Sequence, residues 1–201
     1  MTEIVLASQS QRRRELMEQA GYTFTVHPAK GEEILRGDHP WQIVENLSLQ
    51  KAMLVAEELQ SGTFAVQAAR VLVIGADTIV EAEQQILGKP ADRAEAARMI
   101  GMLQGNVHRV YTGVTLILME DKKIVRTRTF HECTDVDVYE MTQEEIGGYI
   151  STPEPYDKAG AYGIQGSFGV FIRGIRGCYY NVVGLPIARL RHEIKEGGFL
   201  S

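Results

Sequence analysis

Asp77 and Thr78 follow the apolar run VLVIGA at Val71–Ala76. A carboxylate placed after such a run can hold a metal ion or orient a water; it can equally cap a turn, and this stretch alone leaves both readings open. Cationic partners for an anion stand elsewhere: Arg12, Arg13 and Arg14 just after Ser8-Gln9-Ser10-Gln11, Lys51, and Lys89 in Gly88-Lys89-Pro90. Arginine brings bidentate donors for phosphate. Ser8, Arg12 and Arg13 therefore read as a phosphate site, and Arg14 as part of a solvated basic face. Lys89 is not a P-loop lysine, because a proline follows it and Glu83 stands where the first glycine belongs. Glu32 and Glu33 are an acidic pair. Such pairs are usually solvated, and this one gains meaning only if it meets Asp77 in space. Gln165 is the amide of a segment, EPYDKAGAYGIQGSFG, whose glycines fall at 160, 163, 166 and 169. Glycine spacing of that kind lets backbone donors and acceptors approach a flat ligand. His108 stands alone and reads as structural.

The elements that must position these residues alternate between strand and helix. Glu3–Ala7 reads as a strand, followed by the serine loop and a helix with Ser10 as N-cap and Gly21 as stop. Free N–H groups and the helix dipole favour an anion at that helix start. Tyr22–Val26 alternates as a strand. A helix over Pro40–Leu59, opened by Asp38 or His39, carries Lys51 four residues after Leu47 on its apolar line. Lys51 can snorkel there or reach a polar site. Val71–Ile74 reads as a buried strand with Asp77 and Thr78 at its end, where ligands of open α/β sheets gather. Glu81–Gln85 reads as a hairpin turn. Asp92, with Glu95 completing a capping box, starts a helix that runs to Leu103. Val107–Met119 and Lys123–Val138 form a long hairpin, and Thr142 with Glu145 caps a short helix. Val170–Ile172 and Cys178–Val183 read as a closing hairpin before a last helix at Pro186–Glu196.

The 201 residues suffice for one sizeable core, in two lobes at most, and fall short of two independent domains. A net charge of −5 makes a poor non-specific partner for nucleic acid or an anionic membrane, so a polyanion needs a local basic pocket. No apolar run approaches a membrane span, and the start MTEIVLAS lacks the basic stretch of a signal peptide. Cys133 and Cys178 show no zinc or disulfide pattern, which fits the cytoplasm.

Taken in order, LASQSQRR at Leu6–Arg13, Glu32-Glu33, LSLQKA around Lys51, GADT at Gly75–Thr78, LGKP at Leu87–Pro90, HRVYTGV at His108–Val114, EPYDKAGAYGIQG at Glu154–Gly166 and YYNVVGLP at Tyr179–Pro186 resemble the Maf family of nucleoside triphosphate pyrophosphatases. The resemblance spans residues 1–201. One departure is Gln11, where the family usually has proline. The resemblance implies a single α/β/α domain of the Maf/inosine-triphosphatase-like kind, with a central mixed sheet and a cleft between two lobes, usually dimeric. It implies hydrolysis of a nucleoside triphosphate to monophosphate and pyrophosphate with Mg²⁺ or Mn²⁺. Asp77 would be the catalytic base. Ser8, Arg12, Arg13, Lys51 and Lys89 would contact phosphate, and Glu33 (or its neighbour) with Asp77 would hold the metal. The branch acting on dTTP and UTP, with modified pyrimidine nucleotides as further substrates, matches GADT and GAYGIQG. In that setting Thr78 and Gln165 are expected to read the base. A pyrophosphatase for 7-methyl-GTP or other modified nucleotides, and a nucleotide-binding regulator of septum formation, are the alternatives.

Overall fold

The computed structural model of the chain describes residues 2–200. It is mixed α/β with one seven-stranded sheet, in the order β2-β1-β3-β5-β6-β7 with β4 paired to β3. The strands are β1 (Thr2–Leu6), β2 (Thr25–Val26), β3 (Arg70–Ala82), β4 (Gln85–Leu87), β5 (Val107–Glu120), β6 (Lys123–Val138) and β7 (Ile172–Arg176). The helices are α1 (Gln11–Gln19), α2 (Pro40–Ser61), α3 (Arg93–Leu103), α4 (Gln143–Tyr149), α5 (Tyr179–Val183) and α6 (Ile187–Glu196). By contact density the chain divides into two compact units. One comprises residues 1–77, 112–132 and 184–201, the other residues 78–111 and 133–183.

In the first unit β1 pairs parallel with both β2 and β3, Leu6 standing opposite Val26 and Ile74. Here α2 is the element that matters for chemistry. Val55, Ala56 and Leu59 on its inner face pack with Val5, Val71, Val73 and Ile117. Burying a side chain of this size stabilises by about 1.5–3 kcal/mol. The same face carries a buried hydroxyl. Ser48 Oγ hydrogen-bonds Thr115 Oγ1 at 2.9 Å, which in turn meets Thr129 Oγ1 at 2.9 Å. A buried polar group needs its partner, so this chain of hydroxyls fixes the rotation of α2.

Two glycines fix its distance from the sheet. A Cβ on Gly75 would lie 2.4 Å from the Ser48 carbonyl oxygen, and one on Gly113 would lie 2.2 Å from that of Val44. No other residue permits so close an approach of strand to helix backbone.

In the second unit the core gathers Leu87, Met99, Ile100, Leu103, Val110, Val136 and Phe168. Two-residue turns at Glu83-Gln84 and Asp121-Lys122, all four residues at positive φ, close the hairpins of β3 with β4 and of β5 with β6.

Several boundaries differ from those the sequence suggests. Asp77 does not end a strand. β3 runs on to Ala82 because β4 returns to pair with Val80–Ala82. The small size of Gly75 serves the close approach of the α2 backbone. Only Thr25 and Val26 of the alternating stretch Tyr22–Val26 pair with β1, which itself ends at Leu6. The closing hairpin is not formed. β7 pairs with β6 instead, Gly177 turns the chain at φ 134°, and Tyr179–Val183 is helical. Ser10 occupies the N-cap of α1 without a side-chain cap bond. Glu95 reaches back to the Ala91 N–H rather than to Asp92, so the capping box at α3 is only half made.

Candidate active site

The first unit assembles a polar cluster from five segments. β1 ends at Leu6, the Ala7 N–H bonds the Ile74 carbonyl at 2.8 Å, and the chain then leaves the sheet for α1. β3 continues past this point, and strand alternation sends Val71, Val73, Gly75 and Asp77 to one face. That is the face against which α2 lies. Lys51, one turn beyond Ser48, extends its ammonium to Asp77 Oδ1 at 2.5 Å and to Glu33 Oε1 at 3.0 Å. Of the two open readings of Lys51, the reach into a polar site is the one realised. The Asp77 and Lys51 side chains are largely buried, at 13% and 18% exposure, whereas Glu33 is 55% exposed.

Glu33 is held in range by a neighbour. The Gln50 amide accepts from the Ile34 N–H at 3.0 Å and donates to the Ile34 carbonyl at 2.7 Å. This pairs the chain just after Glu33 with the residue just before Lys51. A pocket lined by Ala29, Glu32, Glu33, Gln50, Lys51 and Leu54 opens beside it. Glu32 joins that lining.

Arg13 is the buried member of the arginine run; Arg12 and Arg14 are half-buried. Its Nε donates to the Gly184 carbonyl at 2.8 Å, and Nη1 donates to Ser8 Oγ at 3.1 Å and to the Ala76 carbonyl at 2.9 Å. Burial pushes the guanidinium pKa below its usual value, with Arg12 adding to the effect; Asp77 and Glu33 pull it back up. Arg13 thus ties the loop after β1 to the residue preceding Asp77. Gly184, at φ 128°, turns its carbonyl toward the guanidinium in a conformation that favours glycine. Ser8 Oγ accepts from both Arg13 and the Ser10 N–H. A hydroxyl has two acceptor positions and one donor, so what Ser8 has left to offer is its proton, as an anion requires.

The remaining candidates belong to the second unit. Thr78 follows Asp77 in β3, and alternation sends its side chain to the opposite face. Lys89 and Gln165 are exposed residues of the second unit. Their segments are joined there by the Gly160 N–H, which bonds the Gly88 carbonyl at 3.0 Å. His108 is buried beside Tyr162, its Nε2 2.7 Å from the phenol oxygen, in the structural role its isolation suggests. Burial lowers its pKa to about 4, against a smaller upward pull from Asp135. Two contributors escaped the sequence reading, Gln50 and Gly184. The motif NVVGLP contains Gly184, but nothing local says that its carbonyl meets a residue 171 positions away.

An acid–lysine site beside the first strand-to-helix turn of a mixed sheet defines a class of α/β protein. Within that class the chain belongs to the Maf family, whose model for Maf-like proteins matches residues 3–197. A dTTP/UTP pyrophosphatase of Agathobacter rectalis is 51% identical over 206 residues, covering 98% of this chain and 98% of its own. One of Bacillus anthracis is 46% identical over 197 residues, covering 98% of this chain and 96% of its own. Among solved structures, the Ham1 protein of Staphylococcus aureus overlaps at TM-score 0.45 and 15% identity, covering 98% of this chain and 99% of that one.

Proposed function

We propose that this chain is a nucleoside triphosphate pyrophosphatase acting on dTTP and UTP. The substrates follow from the relatives named dTTP/UTP pyrophosphatase, 46–51% identical over nearly the whole chain. The observation that carries the chemistry is the Lys51 ammonium shared by Asp77 and Glu33.

A divalent metal belongs to this reading. Glu33 and Asp77 converge on one cation, the ammonium, so they present hard oxygen donors to a common position. Among the described residues no group of three His, Cys, Asp or Glu side chains gathers for a metal. Two carboxylates suit Mg²⁺ or Mn²⁺, which complete their shells with water and phosphate oxygens. Such an ion, when bound, would neutralise charge on the triphosphate. Asp77 meets Lys51 through Oδ1, which leaves Oδ2 to accept the proton of the attacking water. Water oxygen then bonds to the α-phosphorus, the bond from that phosphorus to the bridging oxygen breaks, and pyrophosphate leaves. Ser8 donates its hydroxyl proton to a phosphate oxygen, Arg12 and Lys89 add charge, and Arg13 holds the loop while lending its own. Lys51 stabilises the charge that grows on the leaving pyrophosphate. Thr78 and Gln165 read the pyrimidine.

No helix is long and apolar enough to cross a membrane among the described residues. Neither Cys133 nor Cys178 forms a disulfide, which supports a cytoplasmic enzyme. A homodimer rests on the family resemblance alone.

The test is product analysis with purified protein, UTP, dTTP, CTP, GTP and Mg²⁺ or Mn²⁺. UTP and dTTP should yield monophosphate and pyrophosphate in equal amounts. Stepwise release of orthophosphate would overturn the bond assignment, and a preference for purine nucleotides would overturn the substrate.

A further inference from the structure

We propose that Glu154, together with the stem of Lys158, clamps the Gly163–Gly166 turn that carries Gln165 and thereby sets the base selectivity of the site. The inference rests on the pyrimidine reading above and deepens it. Gln165 itself is exposed, and its amide has no hydrogen-bond partner among the described residues. A freely turning amide can serve uracil in one orientation and cytosine in the other. The N–H and C=O groups of the same turn cannot flip, so a turn held still presents fixed polarity beside the amide and lets the site tell the two bases apart.

The second unit provides that hold. Glu154 Oε2 accepts from the Ser167 N–H at 2.8 Å and from Ser167 Oγ at 2.7 Å, while Tyr149 donates its hydroxyl to Oε1 at 3.4 Å. Lys158 Nζ donates to the Glu154 carbonyl at 2.8 Å and to Asp157 at 2.6 Å. The two glycines that bracket Ile164-Gln165 lie directly against these side chains. A Cβ on Gly166 would fall 2.0 Å from Glu154 Oε1, and one on Gly163 would fall 2.7 Å from Lys158 Cε. Gly166 has φ −93° and ψ −161°, open to any residue, so its lack of a side chain serves the contact rather than the turn. The turn itself is closed by the Gly166 N–H on the Gly163 carbonyl at 3.2 Å.

Both feet of the turn are buried. Tyr162 and Phe168 stand 4.9 Å apart between ring centres, Tyr162 meets His108, and Tyr149 donates to the Ala161 carbonyl at 3.1 Å. Only the tip at residues 164–167 needs a further restraint, and Glu154 crosses it. Burial raises the Glu154 pKa, but hydrogen bonds from Ser167 and Phe168 and the charge of Lys158 outweigh it and hold the carboxyl below the ordinary glutamate value. An ionised carboxylate suits a restraint on N–H groups and suits direct contact with a triphosphate poorly. A turn fixed in advance also spares the nucleotide the cost of ordering it.

The experiment compares wild type with Glu154→Gln and the gentler Ser167→Ala, which removes only the hydroxyl donor. Hydrogen–deuterium exchange is read over residues 163–169 in the ligand-free protein, and kcat and KM are read for UTP and CTP. Losing hydrogen bonds to a charged group should raise the KM for UTP by about 10- to 100-fold in Glu154→Gln, with kcat within a few fold. The UTP-to-CTP ratio of kcat/KM should narrow, exchange over 163–169 should accelerate while α6 stays protected, and Ser167→Ala should fall between. Unchanged exchange in Glu154→Gln overturns the clamp. Faster exchange with an unchanged UTP-to-CTP ratio overturns its role in selectivity. Global loss of protection in Glu154→Gln passes the decision to Ser167→Ala, where an unchanged ratio overturns that role. A wild type inert toward UTP and dTTP overturns the pyrimidine reading, and with it the role in selectivity; the exchange result then decides the clamp alone.

Discussion

Asp77 illustrates how little of a residue's role is carried by its identity. Its carboxylate is buried beside an ammonium, and a second carboxylate approaches the same ammonium from an exposed loop. Asp77→Asn is nearly isosteric but cannot take a proton from water. It should lower kcat by about 10²–10⁴ while circular dichroism stays close to wild type. Near-normal turnover in this variant would place the base elsewhere. The residue types of this cluster were legible in the sequence, because phosphate chemistry needs arginine, lysine, serine and carboxylate. Which arginine turns inward was not, since Arg12 and Arg13 differ only in a rotation of 100° about α1. The support given by Gln50 to Ile34, and by Glu154 to Ser167, was equally hidden. Both depend on where a loop lands, and no periodicity records that.

Among the elements, α2 has the narrowest tolerance. Its distance from β3 is set at Gly75, two residues before Asp77. Gly75→Ala would drive a methyl group against the Ser48 carbonyl and the Ala52 N–H, at 2.4 and 2.8 Å, and α2 would have to move. We expect a loss of about 1–3 kcal/mol or more in urea unfolding, together with loss of activity as Lys51 leaves Asp77. Gly101 makes the contrast. It lies inside α3 with open space around its Cβ position, so Gly101→Ala should stabilise by up to about 1 kcal/mol. Helix and strand types followed from period and capping for most of the chain. The failures share a cause, which is that tertiary contact decided the outcome. GADT reads as a strand end but continues because β4 returns to pair with it. YYNVV is rich in residues that favour strands, yet it forms α5, where the buried Asn181 side chain donates to the Val110 carbonyl and to Thr134 Oγ1.

For the whole molecule, His108 sets an acid limit. It is neutral and buried in the folded state with a pKa of about 4, whereas in the unfolded chain it titrates near 6.5. Between these values the unfolded state binds the proton and the folded state does not. The contribution is therefore fully present above pH 6.5 and is lost as pH falls toward 4, amounting to about 2 kcal/mol by pH 5. Urea unfolding at pH 7.5 and pH 5 should show a smaller acid loss in His108→Gln than in wild type. An equal loss in both would mean that His108 does not set the limit.

The hydrogen bond from Arg13 to Gly184 joins residues 171 positions apart. A ribosome makes Arg13 171 residues before Gly184. Until Gly184 has been made, the serine–arginine loop lacks one of its anchors and the unit that contains both is incomplete. Domains that complete early can fold while the chain grows. This unit has no such option before Gly184, because Arg13 and Gly184 are partners. Premature termination before Gly184 takes one of its three acceptors from Arg13, so that a nascent or truncated chain carries an incompletely anchored serine–arginine loop.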